Sequence, residues 1–199
     1  MNWQIDIATA TRPRGDEAVG GDMMFTQTKG DEIVVVCIDA LGHGQKAYEV
    51  ARLAAQALDN MVAFQPTTVL LELNRVLAGG RGAAVAVCHI NCVSGQMMFA
   101  GVGNISVRRI FAKTHSLISR DGVVGGNMRQ PSEQQIALEE GDIYLLHTDG
   151  IQSRFSHRDY PQIVSNSATT AVAHILRHFS KQHDDAGCIV MKVKSNGTR

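Results

Sequence analysis

Neither sign of charge is in surplus: 19 Lys and Arg stand against 19 Asp and Glu. No global field therefore recruits nucleic acid or an acidic membrane. Cysteine is sparse, and Cys37, Cys88, Cys92 and Cys188 show no CxxC spacing. Three of them sit in apolar runs, where a thiol behaves as a small hydrophobe, so a reduced, cytoplasmic protein is expected. No run approaches the ~18 apolar residues of a membrane span, and Met1 to Gln4 lack the basic-then-apolar pattern of a secretory leader. Internal repeats and low-complexity tracts are also missing. At 199 residues, residues 1–199 are expected to form one domain with its own core.

The most informative stretch is Ile33-Val34-Val35-Val36-Cys37-Ile38-Asp39-Ala40-Leu41-Gly42-His43-Gly44. A continuous apolar run rich in β-branched residues suits a strand buried on both faces. Asp39 ends it and stands at the mouth of a core. Ile143 to Gly150 repeats this design, with an apolar strand followed by His147-Thr148-Asp149-Gly150.

Around these two stretches the chain reads as further strands and helices. Residues 3 to 10 suit a first strand, and Thr11 to Asp16 a loop holding Arg12 and Arg14. Gly20-Gly21-Asp22 opens a hairpin through Lys29-Gly30-Asp31 into the apolar strand. From His43 to Val62, apolar residues at three- and four-residue spacing predict an amphipathic helix. Pro66 opens a second, which Gly79-Gly80 stop. Short strands are predicted at Ala83 to Ile90, Met97 to Ala100, Val107 to Phe111, around Leu117, and at Gln135 to Leu138, with a turn at Lys113-Thr114. Their close succession implies antiparallel pairing. The glycines at 122, 125 and 126 mark a candidate flap, and residues 120–130 a candidate recognition surface. Val172 to Phe179 form a helical stripe, and Asp184-Asp185 precede a closing strand.

Asp22, Asp39, Asp149 and Asp184 each lie where a buried strand meets a turn. One Asp beside Gly is ordinary turn composition. Four such acids gathered together would resist ionisation without a positive partner, and none has a basic neighbour in the chain. A hard divalent cation is the simplest remedy, since Mg²⁺ and Mn²⁺ favour oxygen ligands. Two cations can also ionise a water for in-line attack on a phosphoryl group.

With Gly21-Asp22, Ile38 to Gly44, His147 to Gly150 and Asp184-Asp185 in order, the chain resembles the metal-dependent protein phosphatases of the type 2C superfamily, in particular the SpoIIE-like bacterial branch. Its length, the lack of a sensory domain, and the runs Arg81 to Ala84 and Gly101 to Ile105 are most similar to the RsbX type of stressosome signalling. The resemblance implies an α+β fold: a four-layer α-β-β-α sandwich of two antiparallel sheets flanked by helix pairs. It implies that Asp39 bridges two Mn²⁺ or Mg²⁺ ions, that Asp22, Asp149, Asp184 and the Ala40 carbonyl supply further ligands, and that Asp39 and Asp149 are catalytic. It also implies a Ser/Thr phosphatase acting on a phosphorylated STAS-domain stressosome protein, resetting a partner-switching stress response.

Three departures from the family pattern stand out. Ala40 replaces a common Gly, Gly187 stands where a Thr or Ser often follows the acidic pair, and His43 is too far from Asp39 to match the general-acid His of larger members. Arg12 and Arg14 are candidate phosphate clamps, with a solvated loop as the competing reading. His174 and His178 have metal-pair spacing but no third ligand, and read as surface residues. A monomer is expected. The competing functional class is a non-catalytic interaction module of the same fold, which would bind a STAS or kinase partner without turnover.

Overall fold

A computed structural model describes residues 2–110, 115–153 and 161–196. Strands β1 (Asn2–Arg12), β2 (Asp22–Lys29) and β3 (Glu32–Ala40) lead to helices α1 (Gly44–Asp59) and α2 (Pro66–Val76). Strands β4 (Ala83–Asn91), β5 (Gln96–Val102), β6 (Ser106–Arg109), β7 (His115–Leu117), β8 (Gln134–Ala137) and β9 (Ile143–His147) follow. Helices α3 (Pro161–Ser165) and α4 (Ala168–Phe179) precede the last strand, β10 (Ala186–Asn196). The expected residue Phe111 of the β6 segment and the Lys113-Thr114 turn lie outside the described residues.

Two five-stranded sheets form, ordered β1-β10-β9-β6-β7 and β2-β3-β4-β5-β8. Every strand-to-strand ladder is antiparallel. The short strands do not form one meander, because β5 and β6 belong to different sheets.

Three apolar layers account for the unbroken hydrophobic runs. In β3, Val35 and Cys37 face the inter-sheet core with Tyr144, Leu146 and Ile189. Val34, Val36 and Ile38 face α1 and α2, meeting Ala47, Leu58 and Leu70. The period of two is present, yet both faces are apolar because both are covered. Strand β9 is built alike, with Ile143 and Leu145 against α4 residues Val172 and Ile175. The architecture is the expected α-β-β-α sandwich with a helix pair on each outer face.

Two expectations need correction. Helix α1 stops at Asp59, so Val62, placed on its stripe, is 83% exposed. The candidate flap is docked: Val124 is buried and pairs with Ala83, Gly122 pairs with Met128, and the Gly125 amide donates to Asn74 Oδ1 at 2.8 Å.

The turn Glu139 to Asp142 also has a structural role that composition does not reveal. Asp142 is fully buried and accepts from Arg109 Nε at 2.7 Å, from the Glu139 amide at 2.9 Å and from the Tyr144 hydroxyl at 3.2 Å. Removing the charge leaves the buried guanidinium with only the exposed Glu139, at 3.0 Å, as its anion. Asp142→Asn should cost about 3 kcal/mol and lower Tm by roughly 6–12 °C, with Mn²⁺ affinity unchanged, as thermal melts and calorimetric titration would report.

Candidate metal centre

The start of β2 and the end of β3 share one sheet edge, and the register sets Asp22 directly opposite Asp39. Directly opposed residues in an antiparallel pair hold their Cβ atoms ~4.5–5.5 Å apart, and like charges there repel. In the other sheet, Cys188 pairs with His147, so Asp149 follows β9 and Asp184-Asp185 precede β10 at the same end. Two strand ends from each sheet thus contribute acids to one mouth.

Neutral donors stitch the two sheets together there. The Thr148 hydroxyl donates to Asp22 Oδ2 at 2.6 Å and itself accepts from the Gly187 amide at 3.0 Å. Asp185 Oδ2 accepts from the Gly21 amide at 2.7 Å, and Oδ1 from the Arg14 amide at 2.8 Å. Asp149, which is exposed, receives Asn104 Nδ2 on Oδ2 at 3.0 Å.

Burial and mutual repulsion govern the charges. Burial, then Asp39, pushes the Asp22 carboxyl up to about 8, although the Thr148 hydrogen bond opposes the rise. Asp39 is pushed up to about 7 by burial and by Asp149, Asp184 and Asp185. Asp184 is raised by burial and by Asp149. These couplings place all five acids in one field. Among the described residues, none of the five pairs with Lys, Arg or His within 4.0 Å.

Such a group fits hard divalent cations. Its donors are oxygens alone, and among the described residues no ion pair neutralises its repulsion. Among the described residues no three His, Cys, Asp or Glu converge into a ready-made cage. Mg²⁺ sites commonly use one or two carboxylates with retained waters, so a cage is not needed.

The other residues singled out from the sequence fare differently. Ala40 is buried and lies within β3 opposite Ala83, so its methyl meets no strained turn. The chain turns later, at Gly42 and Gly44, with φ of +97° and +65°, where a glycine is needed. Arg12 belongs to β1 rather than a loop, and its guanidinium donates to the carbonyls of Pro13, Lys181 and Asp184. That corrects its reading as a phosphate clamp: it ties β1 to the segment before β10. His43 Nδ1 meets Glu17 Oε1 at 2.7 Å at the start of α1. His174 and His178 stack on each other at 4.4 Å.

Thr148, Asp185 and Asn104 escaped the sequence reading. Thr148 stands beside Asp149, and Asp185 is the second acid of a pair, so no local pattern separates their roles. Asn104 lay in the Gly101 to Ile105 run, where nothing marked its amide.

No described helix is long and apolar enough to cross a membrane. Comparison with known proteins is consistent with the geometry. The family model for stage II sporulation protein E, SpoIIE, matches residues 29–194. A chain solved for the bacterial stressosome, a modular system adapted to control secondary messenger signalling, is 26% identical, with TM-score 0.87 over 94% of this chain and 99% of that one. RsbX in complex with magnesium is 18% identical, with TM-score 0.82 over 96% of each chain. The catalytic domain of the serine/threonine phosphatase PstP, with two manganese ions, is 12% identical, with TM-score 0.71 over 97% of this chain and 100% of that one. The chain belongs to the SpoIIE family of metal-dependent, type 2C protein serine/threonine phosphatases.

Proposed function

We propose that this chain removes phosphate from Ser or Thr of a phosphorylated STAS-domain stressosome protein, in the cytoplasm and as a monomer, and so resets a partner-switching stress response. The observation that carries the proposal is the opposition of Asp22 and Asp39 across β2 and β3, joined by Asp149 and Asp184 from the other sheet. Family membership supports the chemistry. The stressosome and RsbX likenesses support the choice of partner.

In this reading Asp39, Asp22, the Ala40 carbonyl, Asp149 and Asp184 would hold two Mn²⁺ or Mg²⁺ ions. When bound, the ions supply Lewis-acid chemistry for hydrolysis of a phosphate monoester. The chain's own residues prepare that site. Thr148 fixes one Asp22 oxygen, and Asn104 fixes one Asp149 oxygen, with neutral donors that leave both charges to a cation. Asp185 anchors the backbone of Gly21 and Arg14, which fixes the approach to Asp22. Arg14 remains the arginine available to a substrate phosphate, its partner Arg12 being committed to backbone carbonyls.

The direct test is phosphate release from a phosphorylated STAS protein in Mn²⁺. Wild type should turn over, and Asp39→Asn should fall to background while keeping its fold by circular dichroism. Partner binding without turnover under every divalent metal would instead establish an interaction module.

Removing the Thr148 hydroxyl frees Asp22 to rotate. Thr148→Val should weaken Mn²⁺ binding about tenfold or more, measured by calorimetry; unchanged affinity would show that the hydrogen bond does not set the ligand.

Acid repulsion also sets a pH dependence. In the metal-free protein Asp22 and Asp39 hold protons up to about 8 and about 7, whereas the unfolded chain releases them near 4. The folded state therefore binds more protons, and stability falls as pH rises through that window. Melting scans in chelator should show Tm dropping across it, and saturating Mn²⁺ should abolish the drop.

A further inference from the structure

Beside Asp149 lies a cavity of about 370 Å³ whose lining includes Asn104, Ser106, Thr148, Gln152 and Lys181. Among the described residues Lys181 is the only Lys or Arg in that lining. Among the described residues its ammonium forms no ion pair within 4.0 Å. It is also the one basic side chain felt at Asp184, whose rise it partly offsets. A cation thus stands beside the acids, and no carboxylate among the described residues claims it.

The backbone under Lys181 is fixed from two sides. Its amide donates to the Gly150 carbonyl at 2.8 Å, one residue after Asp149, and the Gln152 amide donates to Phe179 at 2.9 Å. Its carbonyl accepts from the Arg12 guanidinium, which also reaches Asp184. Arg12 and Gly150 together hold the Lys181 segment in a set relation to Asp149. The fixed backbone confines the ordering cost of an incoming anion to the Lys181 side chain itself.

We infer that this cavity seats the phosphorylated side chain of the substrate, with the Lys181 ammonium contacting a phosphoryl oxygen and Arg12 acting as its positioning residue. The inference rests on the phosphatase reading above. A dianionic phosphate entering a field of five carboxylates needs a cation at the rim, and Lys serves phosphate as a compact point charge. The neutral lining of Asn104, Ser106 and Gln152 adds donors without adding repulsion.

The test uses the full chain loaded with Mn²⁺, with p-nitrophenyl phosphate, a phosphoserine peptide and inorganic phosphate as probes. Lys181→Met should lower kcat/KM about 10- to 100-fold on both substrates, the loss expected for a hydrogen bond to a charged group. It should raise the inhibition constant of inorganic phosphate by a similar factor, and Lys181→Arg should recover most of the loss. Mn²⁺ affinity should not fall, since the variant removes a positive charge beside the acids, and phosphate-free Tm should hold, because among the described residues the ammonium forms no ion pair. Arg12→Gln should weaken phosphate inhibition in the wild-type background and not further in Lys181→Met, the signature of one residue acting through the other. Loss confined to the peptide, with p-nitrophenyl phosphate and phosphate inhibition untouched, would overturn the inference, since Lys181 would then read the polypeptide. Should wild type hydrolyse neither substrate, the phosphatase reading fails on its own. The Tm shift given by inorganic phosphate, expected in wild type and lost in Lys181→Met, still decides the role of Lys181.

Discussion

Repulsion between Asp22 and Asp39 is the constraint around which this molecule is arranged. Antiparallel pairing sets them face to face, and Asp149, Asp184 and Asp185 deepen the same negative field. A protein that needed only stability would place a Lys or Arg among them. Here the work of holding them falls to a hydroxyl, a carboxamide and backbone amides. Neutral donors fix the geometry of a carboxylate without consuming its charge, so the charge stays available to a metal. The cost is borne by the fold as raised pKa values, and the three apolar layers offset it.

Those layers explain why the acids meet at all. Strands covered on both faces can end only where the cover ends, so the ends of β3 and β9 and the starts of β2 and β10 converge on one rim. The polar stitches then lock one sheet to the other at that rim. Thr148 reaches across to Asp22, and Asp185 reaches across to Gly21. Gly150 leaves no room for error, since a Cβ there would lie 1.6 Å from the Asp185 carbonyl oxygen. The close approach brings the loops after β9 and before β10 into register, and with them Asp149 and Lys181.

What could be read from the sequence followed from local physics. A continuous β-branched run ending in Asp identifies a doubly buried strand at a site, and the periodicity of residues 47 to 58 identifies a covering helix. Partners distant in the chain were not legible. The Thr148 to Asp22 bond spans 126 positions and the Arg12 to Lys181 bond spans 169. No spacing rule connects such pairs, so Arg12 read as a phosphate clamp. The docked loop at residues 122–128 was misread for the same reason. Its glycines suggested freedom, while Ala83 and Asn74, which hold it, lie far upstream.

The substitution at Gly187 shows how local and long-range requirements trade. A hydroxyl residue there is common in the resembling family, and its loss suggested a ligand left unsupported. In the structure a Cβ at 187 would meet Met24 Cε at 2.2 Å and Asp22 Oδ2 at 3.3 Å, so side-chain space is already taken. Thr148 fills the role from the neighbouring strand end. It accepts from the Gly187 amide and donates to Asp22, and a side chain at 187 would crowd both groups. The absent hydroxyl and the present one are therefore one arrangement: with glycine at 187, Met24 Cε fills the side-chain space and Thr148 supplies the hydroxyl. Restoring a Ser at 187 would require Met24 Cε to move and would set the new Cβ 3.3 Å from the Asp22 oxygen that Thr148 already serves.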